Sequence, residues 1–200
     1  MFLGNEFFKR DTLELTRDLL GKTLCVKDIE TGGVIRGTIN ETEAYHGYED
    51  DASHGHKKKT PRNTVMYETV GHAYVYFTYG MHFMLNLTSF QKDFPSAVLI
   101  RSVLIPEDNG IRDLMSLNRF KKSFEELSSY QKKNLTNGPG KVTAAFKIDK
   151  RLSGLELNEE SGIWVEDSGF IVPKESVKVT PRIGIDYAQN AKDWLWRFCF

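Results

Sequence analysis

Hydrophobic and polar positions along the chain follow two rhythms, one helical and one extended, and they alternate in long blocks. The stretch from Asp11 to Leu20 reads as an opening helix, with Asp11 and Glu14 spaced as a capping box and Gly21 placed to end it. TLCVKD and GGVIRGTINETEAY then carry β-branched residues on either side of a Gly-Gly turn signal, and HAYVYFTYGMHFMLNLTS has the pattern of a second hairpin around Gly80. SAVLIRSVL is a further apolar strand. Helical spacing returns at 108–118 through Ile111, Leu114 and Met115; Ser123 and Glu126 are spaced to cap a second, basic helix, and GPGKVTAAFKI begins a third. EDSGFIVP and the C-terminal WRFCF read as a return to sheet, whereas Lys-rich HGHKKKTPRNT, interrupted by Pro61, reads as a loop. With no internal repeat and no low-complexity linker, strands first and helices after predict one α+β domain with a mainly antiparallel sheet.

Composition narrows this picture. Of 200 residues, 40% are hydrophobic and 27% charged, a balance that excludes disorder over most of the chain and supports a sizeable core. Cys25 and Cys199 stand far apart without a CxxC pattern, so neither a zinc site nor a disulfide framework is indicated and a reducing compartment is expected. The N-terminal MFLGNEFFKRDTLELTRDLLG has acidic residues and no continuous apolar run, so neither export nor a membrane span is expected. A formal net charge of zero gives no argument for nucleic acid. The distribution is uneven, however: Arg112 to Arg151 carries ten Lys or Arg against four Asp or Glu, and Leu152 to Phe170 has five acids and no base. Either a basic binding face or a merely solvated helical surface accounts for it.

Candidate chemistry concentrates in NETEAYHGYEDDASHGH, from Asn40 to His56. If Val34 to Tyr45 is one continuous strand, Ile35, Ile39, Glu41, Glu43 and Tyr45 share a side. A face that begins apolar and ends in acids fits a strand leaving the core for a cleft wall, where desolvation makes a carboxylate a better base. Acids simply reaching water at a strand end is the other reading, and the spacing alone favours it slightly. In the second hairpin Tyr74, Tyr76 and Thr78 point one way and Val75, Phe77 and Tyr79 the other, and a tyrosine at the tip, Tyr79, is hard to account for as core. A three-residue turn at Gly80–His82 would pair Tyr76 with Asn86; a two-residue turn would separate them.

Sharper motifs fail. GPGKVT lacks the earlier glycine of a phosphate loop, since Leu135 stands there, which leaves the backbone N–H groups near Gly140, with Lys141, as a candidate phosphate contact beside the reading of an ordinary helix start. His54 and His56 belong to no recognisable metal-ligand set, and there is no GxSxG elbow.

Taken in order, ETEAY, EDDASH, TPRN, YVYFTYGM, the following LN, LIRS, GPGK and PRIGI resemble the 3-methyladenine DNA glycosylase family, of the alkyladenine or methylpurine type, and the resemblance runs from near the first helix to WRF at 196–198. It implies a single mixed domain over residues 1–200, with a curved antiparallel sheet flanked by helices. The implied activity is monofunctional excision of alkylated or deaminated purines (3-methyladenine, 7-methylguanine, hypoxanthine) from duplex DNA, without lyase action, metal or cofactor. Glu43 matches the family's general base, which activates water against C1′ of the damaged nucleotide, and Arg101 the arginine beside that water and the target's phosphate. Glu41 matches no role. Tyr45, His54 and Tyr76 match the aromatic walls around the extruded base, Asn86 the asparagine that collides with the 2-amino group of guanine, and Tyr79 the side chain that fills the vacated stack. Many members continue past WRF with a short tail that approaches the pocket, which leaves closure of the pocket open at this level.

This division of labour is physically coherent. Extruding a nucleotide costs a few kcal/mol, and stacking at roughly 1–3 kcal/mol per base offsets it. N3- or N7-alkylated purines are cationic, which electron-rich rings favour by about 0.5–2 kcal/mol. The expected partner is damaged double-stranded DNA, bound by a monomer with no obligate protein partner and no membrane. The expected location is the cytoplasm and nucleoid in a bacterium, the nucleus in a eukaryote. Two rivals remain at this level: a damaged-DNA binding module without turnover, and a hydrolase acting on RNA or free nucleosides.

Overall fold

A computed structural model describes residues 1–200. Helix α1 (Thr12–Asp18) starts where the Asp11 carboxylate accepts from the backbone N–H groups of Leu13 and Glu14, a cap worth about 1 kcal/mol. Leu15 and Leu19 turn into the main core. The chain then reverses through Gly21 at φ +82°, where a Cβ would meet Val172 at 2.9 Å. Strands β1 (Thr23–Lys27) and β2 (Val34–His46) follow, then a long loop and the short helix α2 (Thr64–Glu68). The hairpin β3 (Ala73–Thr78) and β4 (His82–Thr88) leads to β5 (Ser96–Leu104). Helices α3 (Asn109–Phe120), α4 (Ser129–Lys133) and α5 (Pro139–Ala145) precede β6 (Ile163–Glu166), β7 (Lys178–Thr180) and β8 (Arg197–Cys199).

All eight strands join one antiparallel sheet in the order β3-β4-β5-β2-β1-β6, with β8 pairing both β2 and β7. The thirteen-residue β2 is its spine. Its first half pairs with β1, while Glu41, Thr42 and Glu43 pair with Cys199, Phe198 and Arg197 of β8. This is the α+β domain that the alternating blocks predict.

Between β2 and β5 the register breaks twice. Ile39 faces Val103, Glu41 faces Ser102 and Thr42 faces Ile100, so Asn40 and Arg101 are each left without a partner. These bulges bend the sheet and invert the inside-outside alternation. Before them Ile35, Ile39 and Val103 belong to the core; beyond them the core residues Val98 and Ile100 face Ala44 and Thr42. Glu43 faces Leu99 and Tyr45 faces Ala97, on the opposite side of the sheet. The single shared face expected for Ile35, Ile39, Glu41, Glu43 and Tyr45 is thus divided at the bulge: the isoleucines enter the core with α1, α3 and α5, and the acids turn to the other surface.

Other expectations shift for local reasons. The hairpin tip is Tyr79–Gly80–Met81, one position earlier than Gly80–His82, so Tyr74 faces Asn86 and Tyr76 faces Met84. Tyr79 and Gly80 both take positive φ, +53° and +67°, and Met81 N–H donates to Thr78 O, the geometry of a type I′ turn. Ser123 and Glu126 do bond reciprocally, but they close only a turn; the helix begins later, under a Ser128–Gln131 capping box. The returning strand is Ile163–Glu166 rather than EDSGFIVP, whose only strand residue is Glu166. At the chain's end β8 does return to sheet. No helix is long and apolar enough to cross a membrane.

Candidate active site

The face of the sheet turned away from the helices forms the floor of a cleft of about 900 Å³. Tyr45, Tyr74, Tyr76, Asn86, Leu99 and Arg101 rise from its four adjoining strands. Two segments without regular structure close it, one around Asp51–Arg62 and one around Ile183–Asn190.

Beneath the floor lies Glu43, whose side chain is 0% exposed. Its Oε1 accepts the backbone N–H of Ile183 at 2.8 Å, and its Oε2 accepts from the Tyr45 hydroxyl at 3.0 Å and Arg101 Nη1 at 3.2 Å. Burial raises its pKa above the usual carboxylate range; Arg101, the Ile183 N–H and the Tyr45 hydroxyl pull it down and only partly compensate. Burial, with the Glu43 charge behind it, holds the Tyr45 phenol well above its ordinary value, so that phenol remains a donor. The donors around the carboxyl are therefore polar groups, two of them from the cleft-lining Tyr45 and Arg101. Arg101 also donates from Nε to Glu41 Oε1 at 3.0 Å, and Arg197 Nε donates to the same oxygen at 2.6 Å.

The closing segments are anchored by residues that sequence reasoning did not assign to the site. Arg182, from PRIGI, makes a bidentate pair with Asp50, from EDDASH, at 2.6 and 2.7 Å, with both side chains fully buried. The same guanidinium donates to Ala44 O and lies 4.7 Å from the Tyr45 ring centroid, fixing the strand and the ring together. Asp51 accepts three consecutive backbone N–H groups, from Gln189, Asn190 and Ala191. Asn63, from TPRN, donates to His54 O and Lys58 O and holds the loop that carries His54. Motif membership was the available signal for all of these; their partners were not visible because each lies across the fold.

His54 and Tyr76 meet edge to face with centroids 4.5 Å apart, too close to admit a planar ring between them, so in this arrangement they form one corner of the cleft. His54 Nδ1 lies 2.9 Å from the Tyr74 hydroxyl. Burial, helped by the Arg62 charge, lowers the His54 pKa to about 4, so the imidazole is neutral near pH 7. Arg62 stands 4.9 Å from the Tyr76 centroid. With Lys57 it supplies cations at the cleft wall.

Asn86 is buried in the floor and donates to Tyr74 O at 3.3 Å. Tyr79 projects from the hairpin tip, 76% exposed, and borders the cleft. Lys141 lies outside the cleft lining, with Nζ held by Asn134 Oδ1 at 2.7 Å and Asn137 Oδ1 at 2.8 Å. Gly140 lies against His82, whose Cγ would sit 2.8 Å from an added Cβ. The adjoining Pro139 does reach the cleft. His56 Nδ1 is engaged separately, 2.6 Å from Tyr48 O.

Comparison with known proteins places the chain in a family. The family model described as Methylpurine-DNA glycosylase (MPG) matches residues 6–200. A protein of Clostridium perfringens (strain 13 / Type A) is 46% identical over 199 residues, covering 99% of this chain and 95% of its own. One of Clostridium novyi (strain NT) is 47% identical, covering 98% and 93%. A third, from Desulfitobacterium hafniense (strain Y51), is 45% identical with the same coverage. Each is described as a candidate 3-methyladenine DNA glycosylase.

Proposed function

The chain belongs to the methylpurine-DNA glycosylase family and is a DNA glycosylase, and on that premise we propose that it draws an alkylated or deaminated purine out of duplex DNA and hydrolyses its N-glycosidic bond with Glu43 as general base. The observation that carries this reading is the Glu43 carboxyl, oriented by three donors directly beneath an aromatic cleft and raised in basicity by its burial.

The step balances simply. A water oxygen attacks C1′, Glu43 Oε2 takes its proton, and the C1′–N bond breaks with its electron pair going to the base. A 3-methyladenine or 7-methylguanine cation leaves as a neutral base, whereas hypoxanthine must acquire a proton as it leaves. To reach Oε2 the water replaces the Tyr45 hydroxyl or Arg101 Nη1 as its partner. General-base help of this kind is worth about 10²- to 10⁴-fold, and the ionised carboxyl also stabilises positive charge that develops on the sugar.

Tyr45, His54 and Tyr76 supply the stacking surfaces, the His54–Tyr76 corner opening to admit the base. A neutral His54 suits a cationic purine, which a protonated imidazole would repel. Asn86 screens the purine edge, and Tyr79 enters the duplex where the nucleotide has left. Arg101 approaches the target's phosphate. A contact from Lys141 to the DNA backbone requires its ammonium to leave Asn134 and Asn137. On this reading the protein acts as a monomer in the cytoplasm, at the nucleoid; the relatives named above are bacterial.

Purified protein incubated with duplexes containing hypoxanthine or 3-methyladenine, and assayed for abasic sites, tests the reading. Abasic sites on duplexes, with none from single-stranded RNA or free nucleosides, are expected. Binding without abasic sites would identify a sensor module instead, and turnover of free nucleosides a nucleosidase.

A further inference from the structure

Glu41 stands outside every role considered so far, yet the structure gives it two arginines. Its Oε1 accepts Arg101 Nε at 3.0 Å and Arg197 Nε at 2.6 Å, and its side chain is only 16% exposed. Glu41 does not line the cleft. It is placed by the paired bulges, which leave Asn40 and Arg101 without strand partners and bring Glu41 opposite Ser102. Arg197 is in turn held by Thr180 Oγ1 at 3.0 Å, so the arrangement runs from β7 through β8 and β2 to β5.

We propose that Glu41 is a positioning residue for the reaction: with Arg197 it fixes the Nε edge of Arg101, so that Nη1 reaches Glu43 and Nη2, which has no partner within the protein, is presented to the DNA. The inference rests on the reading of Glu43 as the general base. A guanidinium held along one edge loses its freedom to rotate, and its remaining donors keep a fixed direction. Glu41 also shares the Arg101 charge. Without it, Arg101 would pair with Glu43 alone and favour the ionised carboxyl too strongly for an effective base. The charged and titratable groups facing Glu43 are Arg101 from β5, Tyr45 and Glu41 from β2, Arg197 from β8, Arg182 from the closing segment, and Tyr76 from β3.

This arrangement predicts opposite displacements from two substitutions. Glu41→Gln removes a negative charge near Glu43 and releases Arg101 toward it, so the acid limb of the single-turnover pH–rate profile moves to lower pH. Arg197→Gln leaves Glu41 with one cation fewer, and its net negative field moves the same limb to higher pH. In Glu41→Gln the loosened guanidinium also lowers kcat by about tenfold at pH 7.

The experiment is base release from hypoxanthine duplex across pH for wild type, Glu41→Gln, Arg197→Gln and Glu43→Gln, with thermal melting as a check on folding. Limbs displaced in opposite directions support the proposal, and the Arg197 variant alone carries the test if Glu41→Gln does not fold. If the wild-type limb disappears in Glu43→Gln but stays fixed, or moves in one common direction, in the other two variants, Glu41 is merely structural and the proposal is overturned while the general base stands. Retained turnover in Glu43→Gln would remove the general base and this proposal with it.

Discussion

The backbone N–H of Ile183 donates to Oε1 of Glu43 at 2.8 Å across 140 positions of sequence. This contact makes the C-terminal segment part of the carboxyl's environment, yet the donors together do not offset burial, and the Glu43 pKa remains above the usual carboxylate range. A carboxyl whose folded-state pKa is raised contributes stability that is complete below its unfolded value and is lost as pH rises through the folded value. Glu43→Gln should therefore melt at a higher temperature than wild type at pH 7, with the difference shrinking as pH falls toward the ordinary carboxylate range. Differential scanning calorimetry across pH checks it; an equal or lower melting temperature at pH 7 contradicts it.

His54 runs the other way. Burial, then Arg62, lowers its pKa from 6.5 to about 4. A histidine depressed in the fold contributes stability above its unfolded value, and this is lost as pH falls from 6.5 toward 4 because only the unfolded chain takes up the proton. The His54 ring should titrate near 4 by NMR, and His54→Gln should flatten the pH dependence of unfolding in that window. A midpoint near 6.5 would show an exposed imidazole.

The Asp50–Arg182 pair is fully buried, with a short bidentate geometry. Removing one partner leaves an uncompensated buried charge, a loss of about 3–5 kcal/mol. Arg182→Met should lower urea-unfolding stability by that amount, and Asp50→Asn added to it should recover part of the loss. Strictly additive losses would argue against the pair acting as a unit.

Tyr79 holds a left-handed conformation at the exposed hairpin tip, which costs a bulky residue of order 1 kcal/mol. Tyr79→Ser should leave melting unchanged or slightly raised, yet bind a lesion duplex about 5- to 150-fold more weakly, since stacking worth roughly 1–3 kcal/mol is lost. Equal affinity would exclude insertion of this side chain into the duplex.

These residues also show what the sequence makes legible. The long strand from Val34, the hairpin, the capped α1, the helical spacing of α3 and the helix start at GPGK follow from local pattern, because capping and periodicity act within a few residues. The bulges at Asn40 and Arg101 do not, since a register break is set by two strands far apart in sequence, and it alone sends Glu43 and Ile39 to opposite faces. Pattern alone leaves the register of the hairpin turn open, and the positive φ that Tyr79 adopts is rare for a tyrosine, so nothing local points to it. The partners of Arg182, Asp51 and Glu41 are long-range, and motif membership marked the segments without revealing what they hold.

The central claim is that the ionised Glu43 carboxyl drives hydrolysis at C1′ of the extruded nucleotide. Single-turnover release of hypoxanthine from a duplex, measured for Glu43→Gln beside its equilibrium binding, tests it most directly. Release slowed by about 10²-fold or more, with lesion-duplex affinity unchanged, is the predicted result. Release at the wild-type rate would contradict it.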